Sequence, residues 1–257
     1  MKILVCMKAV PSTGQVQVDG HFKLQRDGAK LQWNIADEAA LEAALTIKTT
    51  EDTVIVLTMG PAKLEESLRE LLARGADRAI LLTDPAFAGA DTIATAGTIA
   101  KAAEFLGGFD LMLCGRRAID GETGQTPAML AAALGIPCIS NAETINVQGS
   151  TLSVVRRLEG GAISLSVPCP VCVSVCEYTY TLRLPGIMGM RRAKSKTVEL
   201  LDAATLGLSP QSCGLKGSLT KVISMDSKFP GLRSGPKETS LQKGAAAILA
   251  MLQEVVK

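Results

Sequence analysis

One pattern governs the first half of the chain: a short β-branched or aliphatic run, a turn, then a longer segment with apolar residues at helical spacing. Ile3 to Val10, Thr53 to Met59, Ala79 to Thr83 and Asp110 to Cys114 are near-continuous apolar runs, the texture of strands covered on both faces of a parallel sheet. Asp37 to Lys48, Ala62 to Arg74, Asp91 to Leu106 and Thr123 to Leu134 carry Ala, Leu and Glu at helical spacing. Asp37 and Asp91 stand where a helix start is capped, and Gly75 and Gly107 where a helix ends. This alternation predicts βαβ units, hence an α/β fold with a mostly parallel, doubly wound, Rossmann-like sheet containing four such strands.

After Pro137 the texture changes. Ile139 to Cys176 alternates and turns at Gln148-Gly149-Ser150 and Glu159-Gly160-Gly161, which predicts antiparallel strands added to the sheet edge. Gly186 to Lys196 is a basic stretch, read as a solvated segment or a docking patch, and a short helical segment follows near Asp202 to Leu206. Beyond Gly207 the chain is rich in Ser, Gly, Lys and Pro up to Lys237, a composition too polar for a core of its own. Thr239 to Val256 closes with an apolar stripe through Leu241, Ile248, Leu249, Leu252 and Val256. The expected division is a 1–206 α/β domain and a 207–257 C-terminal arm and helix that needs a partner surface.

Composition narrows the chemistry. With 27 basic and 25 acidic residues the formal charge is +2, so no electrostatic footprint for nucleic acid is present. His21 is the single histidine; it reads as a surface residue, and histidine triads, imidazole relays and histidine metal clusters lack their parts. No apolar stretch approaches the ~18 residues needed to span a bilayer. Seven cysteines, an odd number, sit mostly in apolar runs, with no signal peptide read at the start; reduced, buried thiols in a cytoplasmic protein are expected. Cys169, Cys172 and Cys176 tempt a metal assignment. In a strand, however, Cys172 and Cys176 face one side and Cys169 the other, with no histidine to complete a set.

Two loops stand at the expected carboxyl rim of the sheet, where open α/β folds bind ligands. The first, Gly115-Arg-Arg-Ala-Ile-Asp-Gly-Glu-Thr-Gly-Gln-Thr126, follows the strand ending at Cys114 and opens a helix. Its spacing matches neither a dinucleotide fingerprint nor a Walker loop, and taken alone it fits a nucleotide loop or a plain tight turn. The second, Asp84-Pro-Ala-Phe-Ala-Gly-Ala-Asp-Thr92, is expected beside the first; its local reading is a helix cap by Asp91 with Gly89 in the turn. Capping is likewise the local reading of Asn34 and Asp37.

Together the motifs resemble the β subunit of electron-transfer flavoproteins. The resemblance rests on seven ordered blocks: Met1 to Pro11, Asn34-Ile-Ala-Asp-Glu-Ala-Ala-Leu-Glu42, Met59-Gly-Pro61, Arg74-Gly-Ala-Asp-Arg-Ala-Ile80, Phe87-Ala-Gly-Ala-Asp-Thr92, Gly115 to Thr126, and Leu184-Pro-Gly-Ile-Met188. It implies an adenine nucleotide α-hydrolase-like domain in a heterodimer whose α subunit holds the electron-shuttling FAD. No catalytic residue of this chain is implied. The implied nucleotide neighbours are Cys6, Asn34, Asp37, Met59, Phe87, Ala88, Gly89, Gly115, Arg116, Asp120, Gly121, Thr123, Gly124, Gln125 and Thr126. Arg116 and Arg117 are equally well read as a solvated pair.

The Phe87 to Thr92 loop and Asp120-Gly-Glu-Thr123 look like the electron-bifurcating type, in which the site holds a second FAD reduced by NADH. In simple members it holds structural AMP. Thr126-Pro127-Ala128 departs from the common Val-Gly-Pro, and Ile35-Ala36 from the common Pro-Phe. Leu184 matches the family's recognition-loop leucine, which docks on an acyl-CoA dehydrogenase type partner; a minor core role beside Leu182 is the alternative. A hydrolase or ligase of the related superfamily predicts a Ser-Gly-Gly-x-Asp-Ser type loop after the first strand, and Lys8 to Gly14 does not supply one.

Overall fold

The computed structural model describes residues 1–12, 17–18, 24–25, 30–223 and 240–255; His21 lies outside them. In chain order the elements are β1 (Lys2–Cys6), β2 (Ala9–Pro11), β3 (Gln17–Val18), β4 (Leu24–Gln25), β5 (Leu31–Trp33), α1 (Ile35–Ile47), β6 (Thr53–Met59), α2 (Glu65–Arg74), β7 (Arg78–Leu82), α3 (Thr92–Phe105) and β8 (Leu111–Gly115). There follow α4 (Thr126–Leu134), β9 (Cys138–Gln148), β10 (Thr151–Leu158), β11 (Gly161–Pro168), β12 (Val171–Val175), α5 (Ile187–Ser195), β13 (Val198–Leu201), α6 (Gly214–Gly217) and α7 (Leu241–Val255).

One nine-stranded sheet, in the order β11-β10-β9-β12-β8-β1-β6-β7-β13, organises the chain. From β9 to β13 every neighbouring pair is parallel, and β10 and β11 add antiparallel at one edge. Parallel strands therefore number seven rather than the four expected. Three were missed: β9, which pairs parallel with β12 on one side although antiparallel with β10 on the other, and two more in different ways. Within the stretch read as antiparallel, β12 inserts between β9 and β8, and all five of its residues are buried, whereas β11 at the edge is largely exposed. At the opposite edge β13 returns beside β7 after the basic stretch. The turns at Gly149 and Gly160 fall where expected, both in the left-handed region.

Over β12, β8, β1, β6 and β7 the sheet is covered on both faces. Ile3, Val5, Val54 and Val56 pack with Leu41 and Leu45 of α1 and Leu68, Leu71 and Leu72 of α2. Leu4, Ile55, Met112 and Cys172 pack with Ile99 and Ala102 of α3 and Leu130 and Ala131 of α4. Each strand of this double-faced core reads as a continuous apolar run because both sides leave water.

The first strand is shorter than Ile3 to Val10. It ends at Cys6 because the Lys8 N–H is taken by the Asp37 side chain, 2.8 Å away, and Ala9–Pro11 then pairs antiparallel with Leu31–Trp33 in a separate small sheet. The basic stretch forms α5, which lies against α2 through Gly189 and Ala193. A Cβ at Gly189 would stand 2.1 Å from the Ala73 carbonyl oxygen, while Arg191 and Arg192 face solvent. Met1–Val222 is one compact unit and Ile223–Lys257 a second. In the second, α7 carries Leu241, Ile248, Leu249 and Leu252 exposed.

Candidate nucleotide site

From β1 the chain moves to β6 and β7 on one side, and β8 and β12 lie on the other. The strand order thus reverses between β1 and β8, and their carboxyl ends form the crevice where open α/β sheets take ligands. Cys6 and Cys114 are register partners at these ends, and Gly115 follows at once. The start of α1 closes over them.

Asn34 and Asp37 do not cap α1, contrary to their local reading. Asn34 holds the N-cap position without a side-chain cap bond, and Asp37 lies within the first turn. Both side chains are buried braces. Asp37 Oδ1 accepts from the Gly115 N–H at 3.0 Å and its Oδ2 from the Lys8 N–H at 2.8 Å, so one carboxyl joins the ends of β1 and β8. Asn34 Nδ2 donates to the Arg117 carbonyl at 3.0 Å, and its Oδ1 accepts from the Ile119 N–H at 3.2 Å. Burial raises the Asp37 carboxyl to about 7, with the bonds from Lys8, Asn34 and Gly115 working against that rise. Asp91, in contrast, does cap α3, accepting from the Ala94 N–H at 2.9 Å.

The loop from Gly115 to Thr126 is held at its base and open at its tip. Asp120 is nearly covered and accepts from Lys8 Nζ at 2.6 Å. Glu122 and Gly124 adopt left-handed backbone, and residues 121–125 are exposed. Gln125 precedes α4 without a side-chain cap, and Pro127 occupies the first turn. Pro127 has no N–H, but the Thr126 and Ala128 N–H groups of that turn, which no side chain caps, and the positive end of the helix dipole form a donor set for a phosphate, so the residues fit an adenine nucleotide. Arg116 is otherwise engaged: its guanidinium grips both oxygens of Glu177, one at 3.0 Å.

The second loop is not beside the first. It follows β7, and β1 and β6 intervene, so three strand spacings, roughly 14 Å, separate the two along the rim. Met59, at the end of β6, stands between them. Phe87 is buried in the core, whereas Ala88 and Gly89 are exposed. The segment around α6 seats on this loop: the Leu215 N–H donates to the Ala88 carbonyl at 2.9 Å, and Asp91 accepts from both the N–H and the hydroxyl of Thr220.

Leu184 projects into solvent with 83% of its surface exposed, next to exposed Ile187 and Met188, while Leu182 packs against the core. Charged anchors hold this loop. Arg183 donates to Glu42 through its backbone N–H at 3.0 Å and its guanidinium at 2.7 Å, and Arg74 donates to the Arg183 carbonyl at 2.7 Å. Burial raises the Glu42 carboxyl, but the bonds from Arg183 outweigh it and leave the group below its ordinary value.

A family model described as the electron transfer flavoprotein domain matches residues 22–206. An electron transfer flavoprotein subunit beta from Thermoanaerobacterium thermosaccharolyticum is 42% identical over 226 residues, covering 87% of this chain and 86% of the relative. The chain belongs to the electron transfer flavoprotein β-subunit family. Membership implies an α subunit as partner. Two further relatives are 36% identical along nearly their whole length: an electron transfer flavoprotein subunit beta from Clostridium acetobutylicum, covering 99% of this chain and 98% of the relative, and the caffeyl-CoA reductase-Etf complex subunit CarD from Acetobacterium woodii, with the same coverage.

Of the residues expected around the nucleotide, the fold gathers Cys6, Asn34, Asp37, Gly115, Asp120, Gly121 and Thr123 to Thr126 at the β1–β8 crevice of this β-subunit domain. Ala88 and Gly89 lie farther along the rim. Lys8 was not among the expected residues, although it is the single charge within Ile3 to Val10, a placement that an apolar strand does not explain. Among the described residues no helix is long and apolar enough to cross a membrane, and no group of His, Cys, Asp and Glu could hold a metal ion.

Proposed function

We propose that this β subunit holds FAD along its carboxyl rim, takes electrons from NADH, and passes them through the α-subunit FAD to an acyl-CoA dehydrogenase type partner. The observation that carries the reading is the open rim itself. Backbone donors stand at the start of α4, which no side chain caps, and a second exposed loop at Ala88-Gly89 lies roughly 14 Å away across the β1 and β6 ends, a reach suited to a dinucleotide rather than a mononucleotide. Bound there, FAD would supply hydride acceptance and release of single electrons; the chain's own residues shape, orient and screen the site. Asn34 and Asp37 set the loop, Lys8 holds Asp120, and the N–H groups of α4 face phosphate. The relative named as a subunit of a caffeyl-CoA reductase-Etf complex supports a partnership with a CoA-substrate flavoenzyme.

Nucleotide release from the purified heterodimer tests this. Two FAD per heterodimer are expected, and one FAD with one AMP would reduce the rim to a structural site.

The exposed Leu184 is read as the partner anchor, since its loop is pinned by Glu42 and Arg74 while the leucine stays outside. Truncating a central apolar anchor costs about 2 kcal/mol. Leu184→Ala should therefore slow electron delivery to the dehydrogenase partner by roughly 30-fold, with folding and flavin content unchanged; equal rates would remove Leu184 from the docking surface. The apolar face of α7 is read as the α subunit's docking stripe. Hydrogen exchange should show protection of Leu241–Leu252 on pairing, and unchanged exchange would count against it.

A further inference from the structure

Four of the seven cysteines line up across neighbouring strands on the sheet face beneath α3 and α4. Cys6 of β1 is the register partner of Cys114 of β8. On the next strand, β12, Cys172 lies opposite Met112, two residues before Cys114, and it is also the register partner of Cys138 on β9. The row runs from the interior to the surface: Cys172 is fully buried, Cys114 is 5% exposed, and Cys138, at the start of β9, is open to solvent. All seven thiols are free; the expectation of buried thiols holds for Cys114, Cys172, Cys176 and Cys213, whereas Cys6 and Cys169 are half-buried and Cys138 is exposed. The Cys172 N–H donates to the Pro137 carbonyl at 3.0 Å, which fixes the backbone alignment beside Cys138. Partners on adjacent strands stand about 5 Å apart at Cα, within the range that a disulfide bridges.

We propose that Cys138 and Cys172 form a peroxide-responsive thiol pair, with Cys138 as the attacking thiolate and Cys172 as the resolving thiol. An accessible, acidified thiol next to a second thiol is the arrangement that oxidation selects. Cys138 meets both conditions: the Cys172 hydrogen bond lowers its thiol, and the Arg156 charge adds to this against the pull of burial. Cys172 itself ends well above the ordinary thiol value. The bond from Cys114 lowers it, but the bond to Cys138 and its burial outweigh that. It is thus protected until Cys138 has reacted.

In the first step the Cys138 thiolate attacks one oxygen of hydrogen peroxide, the O–O bond breaks, and the departing hydroxide takes up the thiol proton as water, leaving a sulfenic acid. In the second, the Cys172 sulfur attacks the Cys138 sulfur, the S–O bond breaks, and the hydroxyl leaves with the Cys172 proton as a second water. Two thiols have lost two electrons and two protons, and one peroxide has become two waters. The bridge would draw Cys172 Sγ from its present contact, 3.6 Å from the Pro127 carbonyl in the first turn of α4.

The test treats the reduced heterodimer with hydrogen peroxide, blocks remaining thiols and maps peptides by mass spectrometry. The expected result is a Cys138–Cys172 linked peptide, two hydrogens lighter, that forms before any of the other five cysteines is oxidised and is reversed by dithiothreitol. Cys138→Ser, a change at an exposed position, should abolish it, and Cys172→Ser should leave a Cys138 sulfenic acid that dimedone traps. Oxidation that starts at another cysteine, or a Cys138 sulfinic acid accumulating without the link, would overturn the pair.

Discussion

Asp37→Ala is expected to lower unfolding stability by about 2–6 kcal/mol, because it strands two backbone donors and each orphaned buried group costs about 1–3 kcal/mol. The two N–H groups belong to Lys8 and Gly115, the residues at which the chain leaves β1 and β8, so the loss loosens both sides of the crevice. Bound adenine nucleotide should fall with it. A pH dependence follows from the same carboxyl. Its folded value is about 7 against an ordinary 3.8; it is raised, so its contribution to stability is complete below about pH 4 and is lost as the pH rises through 7. Urea midpoints should therefore fall between pH 5 and pH 8 in the parent chain and change less in Asp37→Asn. Carboxylates held below their ordinary values, such as Glu177 beside Arg116, act in the opposite sense and mainly below pH 5. Parallel midpoint curves for the parent and Asp37→Asn would show that Asp37 does not titrate in this window.

The fold class was legible because parallel strands buried on both faces leave a signal of a few consecutive apolar residues, and Thr53–Met59 carries it plainly. β12 carries the same signal in Val171–Val175, but the alternating residues before it led to an antiparallel reading. Sequence adjacency to a hairpin says nothing about which strand a segment will join, and here β12 crosses into the sheet interior. β13 was obscure for a different reason: Val198–Leu201 is only four residues long and is interrupted by Glu199, which pairs to Arg78, so its apolar run is too short to stand out.

At the site, the glycine-rich loop and the entry to α1 were visible, but their relation was not. Capping and bracing use the same residue types, since Asn and Asp accept backbone N–H groups in either role. Only the tertiary approach of α1 to β8 distinguishes them: Asn34 bonds the chain at 117 and 119, some eighty positions away. Lys8 is the same kind of case, its partner Asp120 lying 112 residues on. The spacing of the two rim loops was likewise hidden, because strand order is not written in local pattern.

Gly115→Ala should also destabilise the fold, for a steric reason. A Cβ there would stand 2.2 Å from Asp37 Oδ1, 2.7 Å from the Ala36 carbonyl carbon and 2.7 Å from the Asp37 nitrogen. A side-chain oxygen could rotate away, but the other two atoms are backbone of the first turn of α1, so the helix itself must retreat. Overpacking of this kind costs about 1–3 kcal/mol and sometimes more. The retreat would also stretch the Gly115 bond to Asp37 and carry Asn34 away from its loop partners. Gly121→Ala is the control within the same loop, since nothing lies within 4 Å of its added Cβ; it should unfold like the parent. Thermal unfolding and nucleotide content of the two variants separate the possibilities. If Gly115 were required for close approach of a ligand, its variant would lose nucleotide yet unfold normally. If α1 requires it, stability and nucleotide should fall together, and the geometry of Asp37 and Ala36 makes the second outcome the expected one.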